Sequence, residues 1–293
     1  MGEVMSYLYL LFSVFTSASF SIMSSLFASK NSHIENTSSF YVTAVALSAF
    51  VSWGVIYAFD FSFDARVLLY SLLYAIFYIA AIIGLFKALS EGFVSMTAFV
   101  KQLSLITIAI WGFVFWNTPI STNVCIGFIF MIVALYLCFK PNKEGNKNVT
   151  LKWAVGAFLV ILGNGGSTIT QKYLQMSFDG EHGSMLMFFA TGFATVMCTI
   201  RYVLVKDKCK IREISRASYC LPAIGGASSA LFNLLVILLL STPIPESVTF
   251  PTIAVGGMLV TTLFSFITFK ERLDARKWAG LAVGAIALIF LNI

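Results

Sequence analysis

Short connectors that carry most of the charged residues divide the sequence into ten long apolar segments. Their approximate bounds are 5–29, 38–59, 66–89, 93–116, 120–139, 151–175, 184–205, 217–241, 247–269 and 276–292. A segment of about 20 residues is long enough for a helix to cross a hydrocarbon core of roughly 30 Å. The segments are expected to be helices, because an isolated apolar strand in lipid would leave its backbone polar groups unpaired. The connectors leave no room for a soluble catalytic domain.

The composition supports the same interpretation. Charged residues make up 11% of the chain, hydrophobic residues 59%, and the mean hydropathy is +0.90. A soluble domain carries about 25% charged residues, so we predict a multi-pass, all-α integral membrane protein. Its predicted partners therefore include the lipid bilayer. The formal charge of +6 does not indicate a nucleic-acid partner. The cations lie in the connectors, where they act as topology signals.

The position of one polar linker predicts two halves. Residues 1–140 contain five apolar segments, the polar stretch 141–150 follows, and residues 151–293 contain five more. An odd number of spans gives the two halves opposite orientations, which is the inverted-repeat arrangement of many transporters. A weak internal sequence similarity supports the division. Identical residues recur at one constant offset in segments four and nine: Val94 and Val248, Leu105 and Leu259, Thr107 and Thr261, Phe115 and Phe269.

The distribution of Lys and Arg predicts the orientation in the membrane. The odd-numbered connectors hold nearly all of these cations, whereas the even-numbered ones hold only Arg66 and Lys172. By the positive-inside rule the odd-numbered connectors are cytoplasmic, which would leave both termini outside the cell. Localisation in the plasma membrane is the matching expectation.

Two stretches resemble a known family. In 248–292, Pro251 and the pair Gly256 and Gly257 precede a Lys-Glu hinge and a final helix with spaced glycines; in segment six, Gly163–Lys172 carries Gly-Asn-Gly and Gln-Lys. This pattern resembles the EamA-type branch of the drug/metabolite transporter superfamily. The resemblance implies a bundle of ten transmembrane helices, built as two inverted five-helix repeats around a cavity that opens alternately to either side. Members of that superfamily have both termini inside, contrary to the charge distribution.

Lys101 is the residue in the apolar segments that most strongly suggests a site. It lies well inside segment four, next to Gln102, with no acidic residue within a turn or two on that segment. A cation near the bilayer centre costs about 2.5 to 3.5 kcal/mol on insertion scales and usually faces a cavity or a partner. We predict that Lys101 and Gln102 bind the substrate. The alternative is that the ammonium bonds to helix carbonyls or extends towards the interface.

Four further residues complete the predicted pocket, namely Asn164, Asn233, Tyr78 and Trp111. An amide within an apolar helix either bonds to a neighbouring helix or faces a polar cavity, and the aromatic rings suit a flat or apolar solute. Residues near segment ends have a simpler interpretation. We assign Trp153 to an interfacial aromatic belt and Lys172 and Arg201 to interfacial anchoring.

The resulting functional prediction is a transporter of a small organic metabolite, with an amino acid or a related zwitterion favoured. The apolar segments contain no carboxylate of the kind that related small multidrug exporters use in their first helix, so a facilitator or exchanger is favoured over a proton-coupled exporter of cations. Neither cofactor nor metal is predicted, and a homodimer remains open. Two alternatives remain: a lipid-modifying enzyme, which would lack an acid-base partner for Lys101, and a non-transporting assembly subunit.

Overall fold

A computed structural model describes residues 2–32, 34, 36–116, 121–139, 150–205, 209, 213–240, 242, 246–270 and 274–290. Its α-helices are α1 (Gly2–Lys30), α2 (Thr37–Phe59), α3 (Val67–Glu91), α4 (Val94–Gln102), α5 (Ser104–Phe115), α6 (Thr122–Phe139), α7 (Leu151–Ser177), α8 (Gly183–Leu204), α9 (Cys220–Leu240), α10 (Glu246–Thr268) and α11 (Ala275–Phe290). The short 3₁₀ helix Arg216–Ser218 precedes α9. The described residues contain no strand, so the all-helical prediction is confirmed.

Every predicted apolar segment contains a helix, but the segments differ in length. Seven helical stretches of the described residues are long and apolar enough to cross a membrane, and α4 and α5 together count as one of them. Two shorter apolar helices are Thr122–Leu137 and Thr252–Thr268. The 16 residues of α11 extend about 24 Å at 1.5 Å per residue. The protein is therefore a helical membrane protein with seven clear candidate spans among the described residues. The arrangement of ten spans in two inverted repeats stays a prediction.

The surface of the bundle is apolar, as lipid requires. On α2, Val51 and Val55 are each 59% exposed. Val45, Ala49 and Trp53 on the opposite face are almost fully buried. Because both faces are apolar, α2 lacks the polar face of a helix that lies at a water boundary.

Helices of the two halves pack mainly on each other. The pairs with extensive contact are α3 with α7, α1 with α9, α2 with α8, α2 with α9, α3 with α8, α1 with α10 and α6 with α11. Smaller contacts join α5 and α4 to α7, and α4 to α10. Each of these pairs joins a helix before residue 140 to one after residue 150, so the core is built between the predicted halves.

The contact between α3 and α7 brings two backbones together. A Cβ atom on Gly84 would lie 2.6 Å from the Gly156 carbonyl oxygen, and one on Gly163 would lie 2.7 Å from the Phe77 carbonyl oxygen. Since apolar burial hardly drives association within lipid, such close packing of small residues is what holds helices together there. The glycines Gly156 and Gly163 thus serve to pack α7 on α3.

The predicted linker 141–150 and the hinge acid Glu271 lie outside the described residues, apart from Thr150. Thr150 caps α7, because its hydroxyl accepts a hydrogen bond of 3.1 Å from the Trp153 backbone N–H. A threonine is a favoured residue at this position. The second half therefore begins with a well-formed helix start.

We expect Gly163→Val to destabilise the protein markedly, because its side chain would displace the α3 backbone. Overpacking of a filled core typically costs about 1–3 kcal/mol. The control is Gly183→Ala, where the added atom would meet only the Ile237 side chain, at 3.8 Å. Thermal unfolding in detergent compares the two. Equal melting temperatures for both variants would show that the α3–α7 contact is not tight.

Candidate functional site

The segment that carries Lys101 is broken directly after it. α4 ends at Gln102 and α5 begins at Ser104, with Leu103 between them. Around the break the backbone hydrogen bonds are of the 3₁₀ type: Leu103 N–H donates to the Val100 carbonyl and Ile106 N–H to the Leu103 carbonyl, each at 3.0 Å. The Ser104 hydroxyl donates to the Lys101 carbonyl at 2.9 Å. A mid-helix stretch of this kind often marks a functional hinge.

The Lys101 ammonium lies inside the bundle, towards α1. Its Nζ is 5.7 Å from the centroid of the Phe20 ring, within the range of a cation–π contact. The three ion pairs formed by the described residues do not include Lys101. An intramembrane cation with an aromatic face as its neighbour, and no carboxylate partner in the described chain, suits an anionic group of a ligand.

Asn164 belongs to a polar strip on α7. Asn164, Thr168 and Gln171 follow each other at helical spacing, so they share one face. Gly163 on one side packs on α3 and Gly165 on the other packs against Thr107 of α5. Thr168 is exposed and the two amides are partly exposed. Polar residues within a span usually face the bundle interior or a water-filled cavity, so this strip is a candidate lining of the predicted route.

Tyr78 and Asn233 approach each other through Ser229. The Tyr78 hydroxyl lies near Ser229 of α9, but it is buried without a hydrogen-bond partner of good geometry. The Asn233 side-chain amide donates to the Ser229 carbonyl at 2.8 Å, one turn back in its own helix. The phenol of Tyr78 is therefore available to a ligand, whereas one end of the Asn233 amide is already occupied.

Trp111 lies in an aromatic cluster between α5 and α7. Its indole N–H donates to the Tyr173 hydroxyl at 3.2 Å, and its ring stacks on Phe115 with centroids 4.1 Å apart. Nearby, the Lys172 ammonium lies 4.4 Å from the centroid of the Trp116 ring. These contacts give Trp111 a structural role in joining the two helices.

At the end of the bundle where the odd-numbered connectors lie, here called the basic end, buried contacts join the two halves. Trp153 is only 5% exposed and its indole N–H donates to the Thr97 hydroxyl at 3.1 Å. The prediction that Trp153 belongs to an interfacial belt is wrong, because its ring packs against Gly92 inside the bundle. The Lys277 ammonium, from α11, lies 4.5 Å from the centroid of the Phe93 ring.

The opposite end is joined by a loop cluster, here called the clasp, formed by residues 60–66 and 178–184. His182 Nδ1 and the Ser62 hydroxyl are 2.8 Å apart, and the Ser184 hydroxyl donates to the Asp60 carboxylate at 2.7 Å. The Arg66 side chain donates to the Asp64 carboxylate, which lowers the pKa of Asp64 to about 2. The first two of these contacts connect the first half to the second, whereas the Arg66–Asp64 pair lies within one connector.

Arg201 is a residue whose importance the sequence did not reveal. We predicted interfacial anchoring, but Nη1 of its guanidinium is buried and has no hydrogen-bond partner. It lies in the last turn of α8, three residues after the buried Cys198. A position near the end of an apolar segment does not tell which face of the helix is turned inward, so only the packing of α8 reveals this.

We expect Lys101→Met to be at least as heat-stable as the wild type, because methionine fills similar space without a buried charge. Removal of an unpaired cation from a low-dielectric site relieves its desolvation cost. Lys152→Met is the control, since the Lys152 side chain is 73% exposed and lies 4.0 Å from Glu91. Thermal unfolding of the three proteins in detergent tests this. A large loss of stability confined to Lys101→Met would mean that the ammonium holds the bundle together.

Comparison with known proteins gives the fold and nothing finer. No protein-family model matches the sequence, and no curated protein does. Among solved structures, 25 chains match; one of them, described only as "Crystal structure of protein", aligns with a TM-score of 0.61 at 10% identity, over 97% of this chain and 96% of its own. At this identity the likeness concerns the fold alone, and it extends over the whole helical membrane bundle.

Proposed function

We propose that this protein is an alternating-access transporter of a small organic metabolite, built as an EamA-type bundle of two inverted five-helix repeats in the plasma membrane. The observation that carries the proposal is the exchange symmetry of the helix contacts. If α4 and α5 count as one helix, the repeats are α1 to α6 and α7 to α11. Position by position, α1, α2, α3, the α4–α5 pair and α6 then correspond to α7, α8, α9, α10 and α11.

The larger contacts between the two repeats obey this correspondence. The α1–α9 contact has its counterpart in α3–α7, the α2–α9 contact in α3–α8, and the α1–α10 contact in those of α4 and α5 with α7. The α2–α8, α4–α10 and α6–α11 contacts each map onto themselves. A pseudo-two-fold axis in the membrane plane produces this pattern and is common among secondary transporters.

The break after α4 and the glycine pair at the corresponding position of the continuous helix α10 support a central binding site. The offset that aligns Val94 with Val248 also aligns Gln102 with Gly256 and Leu103 with Gly257. The break after α4 thus has a pair of glycines as its counterpart in α10, and α4 and α10 are in contact. Interrupted helices at corresponding positions of two repeats are the best sequence pointer to a transporter site.

In this proposal Lys101 binds an anionic group of the solute, with Gln102 beside it. Asn164 and the polar strip of α7 line the route, while Tyr78 and Asn233 face the solute from the other side. The proposed solute is an amino acid or a related zwitterion, whose carboxylate would meet the Lys101 ammonium, since no ion pair among the described residues occupies that group. The clasp and the basic-end contacts act as the two gates, since each joins the repeats at one end of the bundle.

Thr168→Cys tests alternating access without knowledge of the substrate. In a cysteine-free background in proteoliposomes, a membrane-impermeant thiol reagent should label this position from either side. The control is Phe158→Cys on the same helix, where Phe158 is 59% exposed among apolar neighbours and lipid should block labelling. Labelling of Thr168→Cys from one side only would count against transport and favour an enzyme or an assembly subunit.

Locking the clasp provides a second test. The pair Ser62→Cys and His182→Cys, bridged by a short thiol crosslinker, should abolish labelling of Thr168→Cys from the clasp end and preserve it from the basic end. Cleavage of the crosslink should restore both. The matched control is Asp64→Cys with Arg66→Cys, because these neighbours, 2.7 Å apart through their side chains, belong to one connector. Equal effects of both crosslinks would contradict the gate.

The predicted substrate class has its own test. Purified protein is heated with a panel of amino acids, nucleosides, quaternary amines and organic acids, and a ligand that binds the folded state raises the melting temperature. An acid or zwitterion should stabilise the wild type and not Lys101→Met. A ligand that stabilises both equally would rule out Lys101 as the anchor.

A further inference from the structure

Arg201 is a second cation turned towards the interior of the bundle. Its Nη1 atom is buried with no hydrogen-bond partner, and none of the ion pairs formed by the described residues involves it. A guanidinium can only donate hydrogen bonds. The group therefore has an unused donor in a region of low dielectric, where an acceptor stabilises it most.

The second unused group in this region is the Tyr78 hydroxyl. Tyr78 of α3 and Cys198 of α8 are neighbours in one large buried cluster. Arg201 follows Cys198 by three residues and lies near enough to interact with it electrostatically. The Tyr78 hydroxyl is buried near Ser229 and makes no hydrogen bond of good geometry. By contrast, the neighbouring Tyr41 hydroxyl lies 2.7 Å from the Ser24 hydroxyl and is satisfied within the protein.

We propose that Arg201 and Tyr78 form a binding site for an oxyanion, the carboxylate or phosphate group of a solute. Both groups offer O–H or N–H donors, and an oxyanion supplies the acceptors that neither finds among the described residues. Arginine suits such a ligand because its planar donors match the two oxygens of a carboxylate or phosphate. Arg201 is the new member of this site; Tyr78 also belongs to the proposed pocket of Lys101, whose ammonium contacts Phe20.

The location suggests its role in transport. α8 ends and α4 begins at the basic end, so Arg201 and Lys101 both lie in the half of the bundle nearer that end. Phe20 connects them, because it contacts Lys101 and also packs on the cluster that holds Tyr78. This role rests on the proposed function and makes the solute an organic acid or phosphate that meets a cation on each side of Phe20. The existence of the site does not depend on transport.

The test is thermal stabilisation of the purified protein by inorganic phosphate and by succinate, each titrated to saturation. We expect Arg201→Gln and Tyr78→Phe each to raise the concentration for half-maximal stabilisation about 10-fold, as for loss of a hydrogen bond to a charged group. Arg201→Lys should have a smaller effect, because it keeps the charge. Arg216→Gln is the control, since Arg216 is exposed at the same end, and it should bind as the wild type does. Tyr78→Phe keeps the size of the side chain and tests the site even if Arg201→Gln does not fold.

A second arm identifies the source of the oxyanion. Mixed micelles with phosphatidylglycerol are compared with phosphatidylcholine micelles; stabilisation by phosphatidylglycerol alone that requires Arg201 would retain the site and identify a lipid headgroup as its ligand. If no anion stabilises the wild type, or if all variants respond equally, the proposal is wrong and the buried donors are satisfied by water. If Lys101→Met alone abolishes the response, this site is wrong while the proposed transport stands. Conversely, if Thr168→Cys is labelled from one side only while anion binding still depends on Arg201, the transport proposal is wrong and the binding-site proposal stands.

Discussion

The direct contact between the backbones of α3 and α7 is the constraint on which the rest of the bundle depends. In water, burial of apolar surface would drive such helices together, but lipid chains are as apolar as the side chains themselves. Close approach at Gly84, Gly156 and Gly163 supplies dispersion contacts that larger residues would prevent. Since α3 lies in the first half and α7 in the second, the tightest contact of the protein joins the two halves.

Glycines also allow close packing between other helices of the two halves. Gly226 of α9 packs directly against the α2 backbone, and a Cβ on Gly256 of α10 would lie 2.9 Å from the Val14 side chain of α1. Small residues therefore occupy interfaces between halves, where one unit must slide or rock on another in the proposed mechanism. Helices that pack through small residues can move relative to each other without the repacking of large interdigitated side chains.

Polar residues in the spans divide into two groups with different meanings. The hydroxyls of Ser13, Thr16 and Ser17 donate to carbonyls three or four residues earlier in α1. Such bonds satisfy a hydroxyl inside its own helix, so a serine-rich span indicates no site by itself. Lys101, Arg201 and Tyr78 have no such bond, and a long cation cannot be satisfied in this way without leaving the interior. The unpartnered groups, not the polar ones in general, mark the candidate sites.

This distinction explains how far the sequence could lead. Apolar length predicted a helix in every segment, because hydropathy depends on local composition alone. The break at Leu103 was not foreseen, since it arises from hydrogen bonds such as that of Ser104 in an otherwise apolar run. The inward positions of Trp153 and Arg201 were missed for another reason. Both lie near segment ends, where only contacts with distant helices decide between the lipid and the core. The clasp depends in the same way on two connectors about 120 residues apart in the chain, as the separation of His182 and Ser62 illustrates.

The two ends of the interface between the halves are held by contacts of unequal strength. At the basic end, the buried Trp153 ring packs on Gly92 and its indole bonds to Thr97. A large free energy is needed to expose a buried aromatic ring to water and to break its hydrogen bond. The clasp joins the halves by the hydrogen bonds of Ser62 with His182 and of Ser184 with Asp60, and by the Phe63 and Phe189 rings, whose centroids are 6.4 Å apart. Phe63 is 59% exposed, so water reaches this end more easily than the buried Trp153. In the proposed transport cycle the clasp is therefore the gate that opens more readily. The polar strip of α7 agrees with this, since Thr168 and Gln171 lie in the half of the helix that leads towards the clasp.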